Sequence, residues 1–85
     1  MKIIWDEPKR RANLEARGLD LADLDLDFFA ASAVIPAKHG RLKAIGPHGG
    51  KLLTVIYKPL GREALAVISM RPASRKERRA YEQDS

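Results

Sequence analysis

No cysteine occurs among these 85 residues, and histidine occurs only twice. The first absence removes disulfides, thiolate metal sites and a cysteine nucleophile, and it leaves the redox compartment unmarked. The second leaves a metal short of ligands: His39 and His48 both fall in expected turns, and no His-x-x-x-His or paired-carboxylate spacing is present. Neither a metal nor a cofactor is expected. Also missing are a Gly-x-Ser-x-Gly elbow and a phosphate loop, because Gly46, Gly49 and Gly50 do not lead from a strand into a Lys-Ser/Thr helix. Asp20, Asp23, Asp25 and Asp27 lack calcium-loop spacing and read as a solvated acidic face. With no signal-peptide pattern and no long apolar run, the cytoplasm is the expected location and no membrane contact is expected.

The length sets one domain, residues 1–85, and a limit on its core. A chain this short buries only about 60 to 65% of its unfolded surface, so a two-layer core and a gain from association are expected. Charge is divided unevenly. Residues 1–31 hold five Lys/Arg against seven Asp/Glu, a balance of −2, while residues 32–85 hold eleven against four, a balance of +7. Such asymmetry suggests a polyanion, an acidic protein or an anionic membrane, the last weakest because the basic helix offers mainly Ala80 and Tyr81 as an apolar face.

Along the chain, Lys2–Trp5 suits a short strand, and Asp6 with Pro8 in the first turn predicts a helix to about Arg17, stopped by Gly18. Leu19 to Phe29 fits a helical stripe at Leu21, Leu24 and Phe28, and also strand alternation at 24–27; four aspartates favour a helix capped by Asp20. From Ser32 turn signals recur about every ten residues. Residues 32–37 read as a strand confined to an edge by Pro36, His39-Gly40 as a hairpin turn into a strand over 41–45, and residues 46–50 as the next turn. Lys51 to Tyr57 is almost continuously apolar, as a central strand covered on both faces would be, and residues 59–61 turn the chain into a strand over 64–70. The fold expected is α+β: a small antiparallel sheet with N-terminal helices and a basic C-terminal helix.

The junction of that last strand and helix carries most of the functional argument. Ser74 and Glu77 form a Ser-x-x-Glu capping box, and Arg71, Arg75, Lys76, Arg78 and Arg79 crowd nine residues around it. Arg71 leaves the strand end beside the anion-attracting helix N-terminus, a plausible phosphate position; a solvated helix face is the plain alternative. Pro72 holds Arg71 extended, and an arginine exposed there would add little to stability. Cations and ordinary acid–base groups suffice for RNA scission, which needs a base for the 2′-hydroxyl proton, donors for the phosphorane charge and a proton for the leaving 5′-oxygen. Arginine suits only the second of these tasks. The base is left among His39, His48, Glu63, Glu77, Tyr57, Tyr81 or a lysine.

Trp5-Asp6-Glu7-x-Lys9, Asn13-Leu14, Gly18, Gly46, Gly50-Lys-Leu-Leu53, Val55-Ile-Tyr57, Gly61 and above all Ile68-Ser-x-Arg71-x-Ala73-x-x-x-Glu77-Arg78-x-x-Tyr81 resemble the BrnT toxin family of bacterial toxin–antitoxin systems. The pieces are short, but their order and spacing run nearly end to end. The resemblance implies a RelE-like endoribonuclease that cuts RNA without a metal, arrests translation and forms a hetero-oligomer with a BrnA-type antitoxin. That antitoxin would carry a ribbon-helix-helix part, so operator DNA is met indirectly through it. The functional candidates carried over are Arg62, Arg71 and Arg78, with Glu77 and Tyr57 beside them; Arg41 and the helix cations Arg75, Lys76 and Arg79 are candidates for holding RNA. Ala16-Arg17-Gly18 stands where many members of the family have Lys-His-Gly, which removes any contribution of that ring. A non-enzymatic basic module that docks on nucleic acid or on an acidic protein is the alternative function.

Overall fold

Residues 1–84 are described by a computed structural model. The chain opens with β1 (Lys2–Trp5) and enters α1 (Glu7–Arg17), whose second position is Pro8 and whose end is fixed by Gly18 at φ 68°, its N–H donating to the Leu14 carbonyl at 2.8 Å. A side chain at that φ would be strained, so glycine makes the stop sharp. Asp6 takes the N-cap backbone position, but its side chain bonds no helix N–H. Asn13 is the buried residue of α1: its amide donates to the Leu19 carbonyl at 3.0 Å and its Oδ1 accepts the Met70 N–H at 3.1 Å. Arg10 adds a two-pronged pair to Asp20, at 2.8 and 3.0 Å, which ties α1 to the segment after it.

That segment corrects the single helix expected over Leu19–Phe29. A 3₁₀ turn (Leu21–Asp23) is followed by a separate helix, α2 (Leu26–Ala30). Two aspartates each start an element: Asp20 accepts from the Ala22 N–H and Asp25 from the Phe28 N–H, both at 2.9 Å. An aspartate that bonds its own downstream backbone competes with continuous helix, and here it wins. The apolar stripe is preserved, with Leu21, Leu24 and Phe28 all buried.

β2 (Ala33–Pro36), β3 (Leu42–His48), β4 (Lys51–Leu60) and β5 (Ala64–Pro72) form an antiparallel meander, and the sheet order is β1-β5-β4-β3-β2. β1 adds to β5 in parallel, from Lys2 opposite Ala64 to Trp5 opposite Val67, so the sheet is mixed rather than antiparallel throughout. The turns are tighter than expected: β3 continues through Gly46 and Pro47 to His48, and β4 through Pro59 to Leu60. Gly46 stays in the strand because Ser32 packs against it, and a Cβ at that position would collide with Ser32 Oγ. Ile68 is the extra residue of a β-bulge, since Ile56 faces Ser69 and Tyr57 faces Val67. The bulge resets the alternation, letting Leu65, Val67 and Met70 all point into the core.

One face of the sheet carries that core: Leu53, Val55, Tyr57, Leu65, Val67, Met70 and Ala44 pack with Leu21, Leu24 and Phe28. The opposite face is covered only in part, by α3 (Arg75–Asp84), which lies over β2 and β3. β4 is therefore enclosed on both faces at Leu53-Thr54-Val55 and only half-buried at Ile56. The uncovered remainder of that face positions the site.

Candidate active site

Cross-strand pairing places Lys43, Ile56 and Ser69 in one row of the partly covered face, and Ile45, Thr54 and Arg71 in the next. α3 begins directly above the second row. Its capping box forms as the spacing predicts, with the Ser74 N–H donating to Glu77 Oε1 at 2.8 Å and the Glu77 N–H donating to Ser74 Oγ at 3.2 Å. Glu77 then reaches further than a cap requires. Its Oε1 also accepts from the Thr54 hydroxyl at 2.9 Å, and Arg71 clamps both oxygens, Nη1 to Oε1 at 2.6 Å and Nη2 to Oε2 at 2.7 Å. Lys43 Nζ stands 3.4 Å from Oε2. One carboxylate, 5% exposed, thus organises two cations from two different strands.

The electrostatics follow from that geometry. The Arg71 clamp foremost, with the Ser74 N–H and the Thr54 hydroxyl, holds the Glu77 carboxyl well below the usual carboxylate range and overrides burial, which acts the other way. A carboxylate so fully bonded is a poor proton acceptor; its contribution is to fix Arg71 and Lys43. Both cations keep about a third of their side chains exposed, so they remain reachable from solvent. Of its five N–H groups, Arg71 uses two on Glu77 and turns one toward the Pro72 carbonyl at 3.4 Å, which leaves two for a ligand. Contrary to the expectation of a freely exposed arginine, its removal would strand a buried charge.

Lys43 is also where two cavities meet. One, of about 280 Å3, is lined by Ile35, Lys43, Ser74, Lys76, Glu77 and Ala80. The other, about 510 Å3, lies under the β2–β3 turn and is lined by Pro36, Lys38, His39, Arg41, Lys43 and Ile56 among others. The two share Lys43, and their combined lining, the trough, sets Lys38, Arg41, Lys43 and Lys76 among apolar Ile35, Pro36 and Ile56. That mixture suits a nucleic-acid strand: phosphates on the cations, sugar and base faces on isoleucine and proline.

The sequence candidates divide among four places. Glu77 and Lys76 line the trough, Arg71 reaches it through its clamp on Glu77, and Arg41 lines its far end. Arg78 lies on the other flank of α3, in a cavity with Pro47, Gly50, Lys51, Leu52 and Pro72, while Arg75 and Arg79 are exposed along the helix. Arg62 sits in the β4–β5 turn, nine residues of extended chain from Arg71, roughly 30 Å along the strand. Tyr57 lies on the core face, 6% exposed, edge-on to Phe29 at 5.2 Å between ring centroids, and burial pushes its phenol above the usual range. Neither Arg62 nor Tyr57 is brought to the trough. Two members of the cluster, Lys43 and Thr54, are not among the sequence candidates. Each is a polar residue inside an apolar strand run, which is the signal that marks them.

A family model for the BrnT ribonuclease toxin of type II toxin–antitoxin systems matches residues 5–77. The 1.1 Å crystal structure of the Brucella abortus ribonuclease toxin BrnT is 56% identical, covers 88% of this chain and 99% of its own, and superposes with a TM-score of 0.82. Comparison with curated proteins gives no match. The matched span runs from Trp5, the last residue of β1, through β5 and ends on Glu77, so it includes Arg71, Lys43 and Thr54. A ribonuclease family selects the enzymatic reading over the plain binding module, and a type II system implies a protein antitoxin as partner. This chain belongs to the BrnT family of ribonuclease toxins of type II toxin–antitoxin systems.

Proposed function

We propose that the chain cuts RNA in the trough beside α3, by attack of a ribose 2′-hydroxyl on the adjacent phosphate, with Arg71 and Lys43 stabilising the phosphorane and with no metal in the reaction. The observation that carries this reading is the sharing of one buried carboxylate, Glu77, by those two cations. Preorganised donors are effective because they need no rearrangement as charge develops on the phosphate oxygens. The donor set also favours metal independence: Glu77, the acid at the centre, has its oxygens engaged by Arg71, Thr54, Ser74 and Lys43, and no three His, Asp or Glu side chains cluster among the described residues. Arg41, Lys38 and Lys76 hold the flanking phosphates. Arg78, Arg75 and Arg79 extend the basic surface around α3, and Arg62 extends it at the far turn.

The antitoxin we propose is of the BrnA type, covering the trough and joining operator DNA to the complex through its own ribbon-helix-helix part. A trough lined by Lys38, Arg41, Lys43 and Lys76 matches an acidic segment of such a partner as well as it matches RNA. Incubating the purified protein with a labelled single-stranded RNA in EDTA tests the reaction. Fragments ending in a 2′,3′-cyclic phosphate and beginning with a 5′-hydroxyl are expected; cleavage that requires added magnesium, or fragments with 5′-phosphates, would refute the mechanism.

A further inference from the structure

Attack by the 2′-hydroxyl needs a group that accepts its proton, and most candidates for that task are spatially disqualified. Glu77 is bonded on both oxygens. Tyr57 is in the core on the opposite face. Glu63 is in the β4–β5 turn, beside Arg62. His48 ends β3 and packs edge-on against Phe28, with centroids 6.4 Å apart, on the core side of the sheet.

His39 is different in two respects. It lines the cavity that Lys43 joins to the Glu77 cluster, together with Lys38 and Arg41. It is also the one non-glycine residue with positive φ among the described residues, at 62°, followed by Gly40 at 71°, in a turn closed by the Arg41 N–H on the Lys38 carbonyl at 3.3 Å. A turn whose two central residues both hold positive φ is served best by Asn-Gly or Gly-Gly. A histidine there meets the backbone demand less well, and residues kept in sparsely populated conformations gather at functional sites.

From this placement we infer that His39 is the general base of the reaction, a reading that rests on the trough being the cleavage site. A ring nitrogen of His39 takes the 2′-hydroxyl proton, and the 2′-oxygen bonds to phosphorus. The bond from phosphorus to the 5′-oxygen breaks, the leaving oxygen takes a proton from solvent, and the imidazolium returns its proton to solvent. The net change is a transesterification to a 2′,3′-cyclic phosphate and a 5′-hydroxyl, with no redox step and no co-reactant. The charged groups lining the cavity around the ring are Lys38, Arg41 and Lys43, and no acid lines it.

Single-turnover cleavage at saturating protein, with binding measured separately, tests the assignment. His39→Asn suits the turn better than the native residue, so its melting temperature should equal or exceed wild type. Its cleavage rate should nevertheless fall by about 10² to 10⁴ fold, the range of a lost general base, with RNA affinity within about threefold of wild type. His39→Gly should show the same loss, and added imidazole should restore part of its rate. The wild-type rate should rise with pH as the base loses its proton, and that rise should vanish in both variants. Full cleavage by His39→Asn would overturn the assignment and leave the ribonuclease reading standing. Loss of affinity with an unchanged rate for bound RNA would overturn it too, making His39 a binding residue. Wild-type protein that leaves RNA intact would instead refute the proposed function and this inference with it.

Discussion

Among single residues, Glu77 couples stability to chemistry, because one carboxylate holds both Arg71 and Lys43. Arg71→Ala removes both prongs of its clamp and leaves a nearly buried carboxylate with Lys43, Thr54 and Ser74. The cost should be on the order of 2 kcal/mol, discounted for the exposure of Arg71 and for the partners that stay. In a domain of this size that lowers the melting temperature by roughly 10 °C. Differential scanning calorimetry checks it, and an unchanged melting temperature would show that the clamp is loose in solution. The pH dependence has a definite sign. The Glu77 carboxyl is held below its ordinary value of 4.5 in the folded chain, so its contribution is present above that value and is lost as pH falls below it. Glu7 and Asp20 are held low by Arg10 in the same way, so acid loss in wild type is not due to Glu77 alone. Comparison isolates it: Glu77→Gln should be less stable than wild type at neutral pH, and the gap should shrink between about pH 5 and 3.

At the scale of elements, α3 and β5 are legible in the sequence because their signals are local. Ser74 and Glu77 stand at capping-box spacing and α3 starts there, while β5 runs two residues past the Met70 end expected of it, pairing Arg71 with Thr54 and Pro72 with Leu53. The segment over Leu19–Phe29 is not legible as two pieces, since periodicity locates the buried stripe but not the capping competition of Asp20 and Asp25. β1 reads as a strand, but its parallel pairing with β5 depends on contacts between opposite ends of the chain, which no local pattern encodes. Gly46 reads as a turn residue, yet it is a strand glycine required by Ser32. A substitution shows the difference. Gly46→Ala should destabilise the protein by about 1 to 3 kcal/mol through overpacking, and combining it with Ser32→Gly should recover part of the loss. Chemical denaturation of the two single variants and the double measures the coupling, and strict additivity would contradict the contact.

At the scale of the whole molecule, the excess of cations beyond residue 31 is gathered by the fold around the partly covered sheet face and α3. Composition foretells a polyanion-facing half, but only the cross-strand register sets Lys43 beside the Glu77 carboxylate that Arg71 clamps, and only the length of β5 keeps Arg62 away from it. RNA affinity should fall steeply with salt. Lys76→Ala should reduce that slope by roughly one counterion without altering the cleavage rate of bound RNA. If the antitoxin covers the trough, the toxin–antitoxin complex should release RNA, and a ternary complex on gel filtration would contradict that arrangement.

Whether two cations sharing Glu77 stabilise the transition state is decided by the cleavage rate of fully bound RNA in EDTA for Arg71→Ala, Arg71→Lys and Lys43→Ala. Measurements well below each variant's melting temperature separate chemistry from stability. Arg71→Ala should lose about 10² to 10³ fold. Arg71→Lys should recover little of it, because a point charge reproduces neither the clamp on Glu77 nor the fork toward phosphate. Lys43→Ala should also slow the bound reaction, whereas folded Arg71→Ala and Lys43→Ala proteins that cut bound RNA at the wild-type rate would contradict the claim.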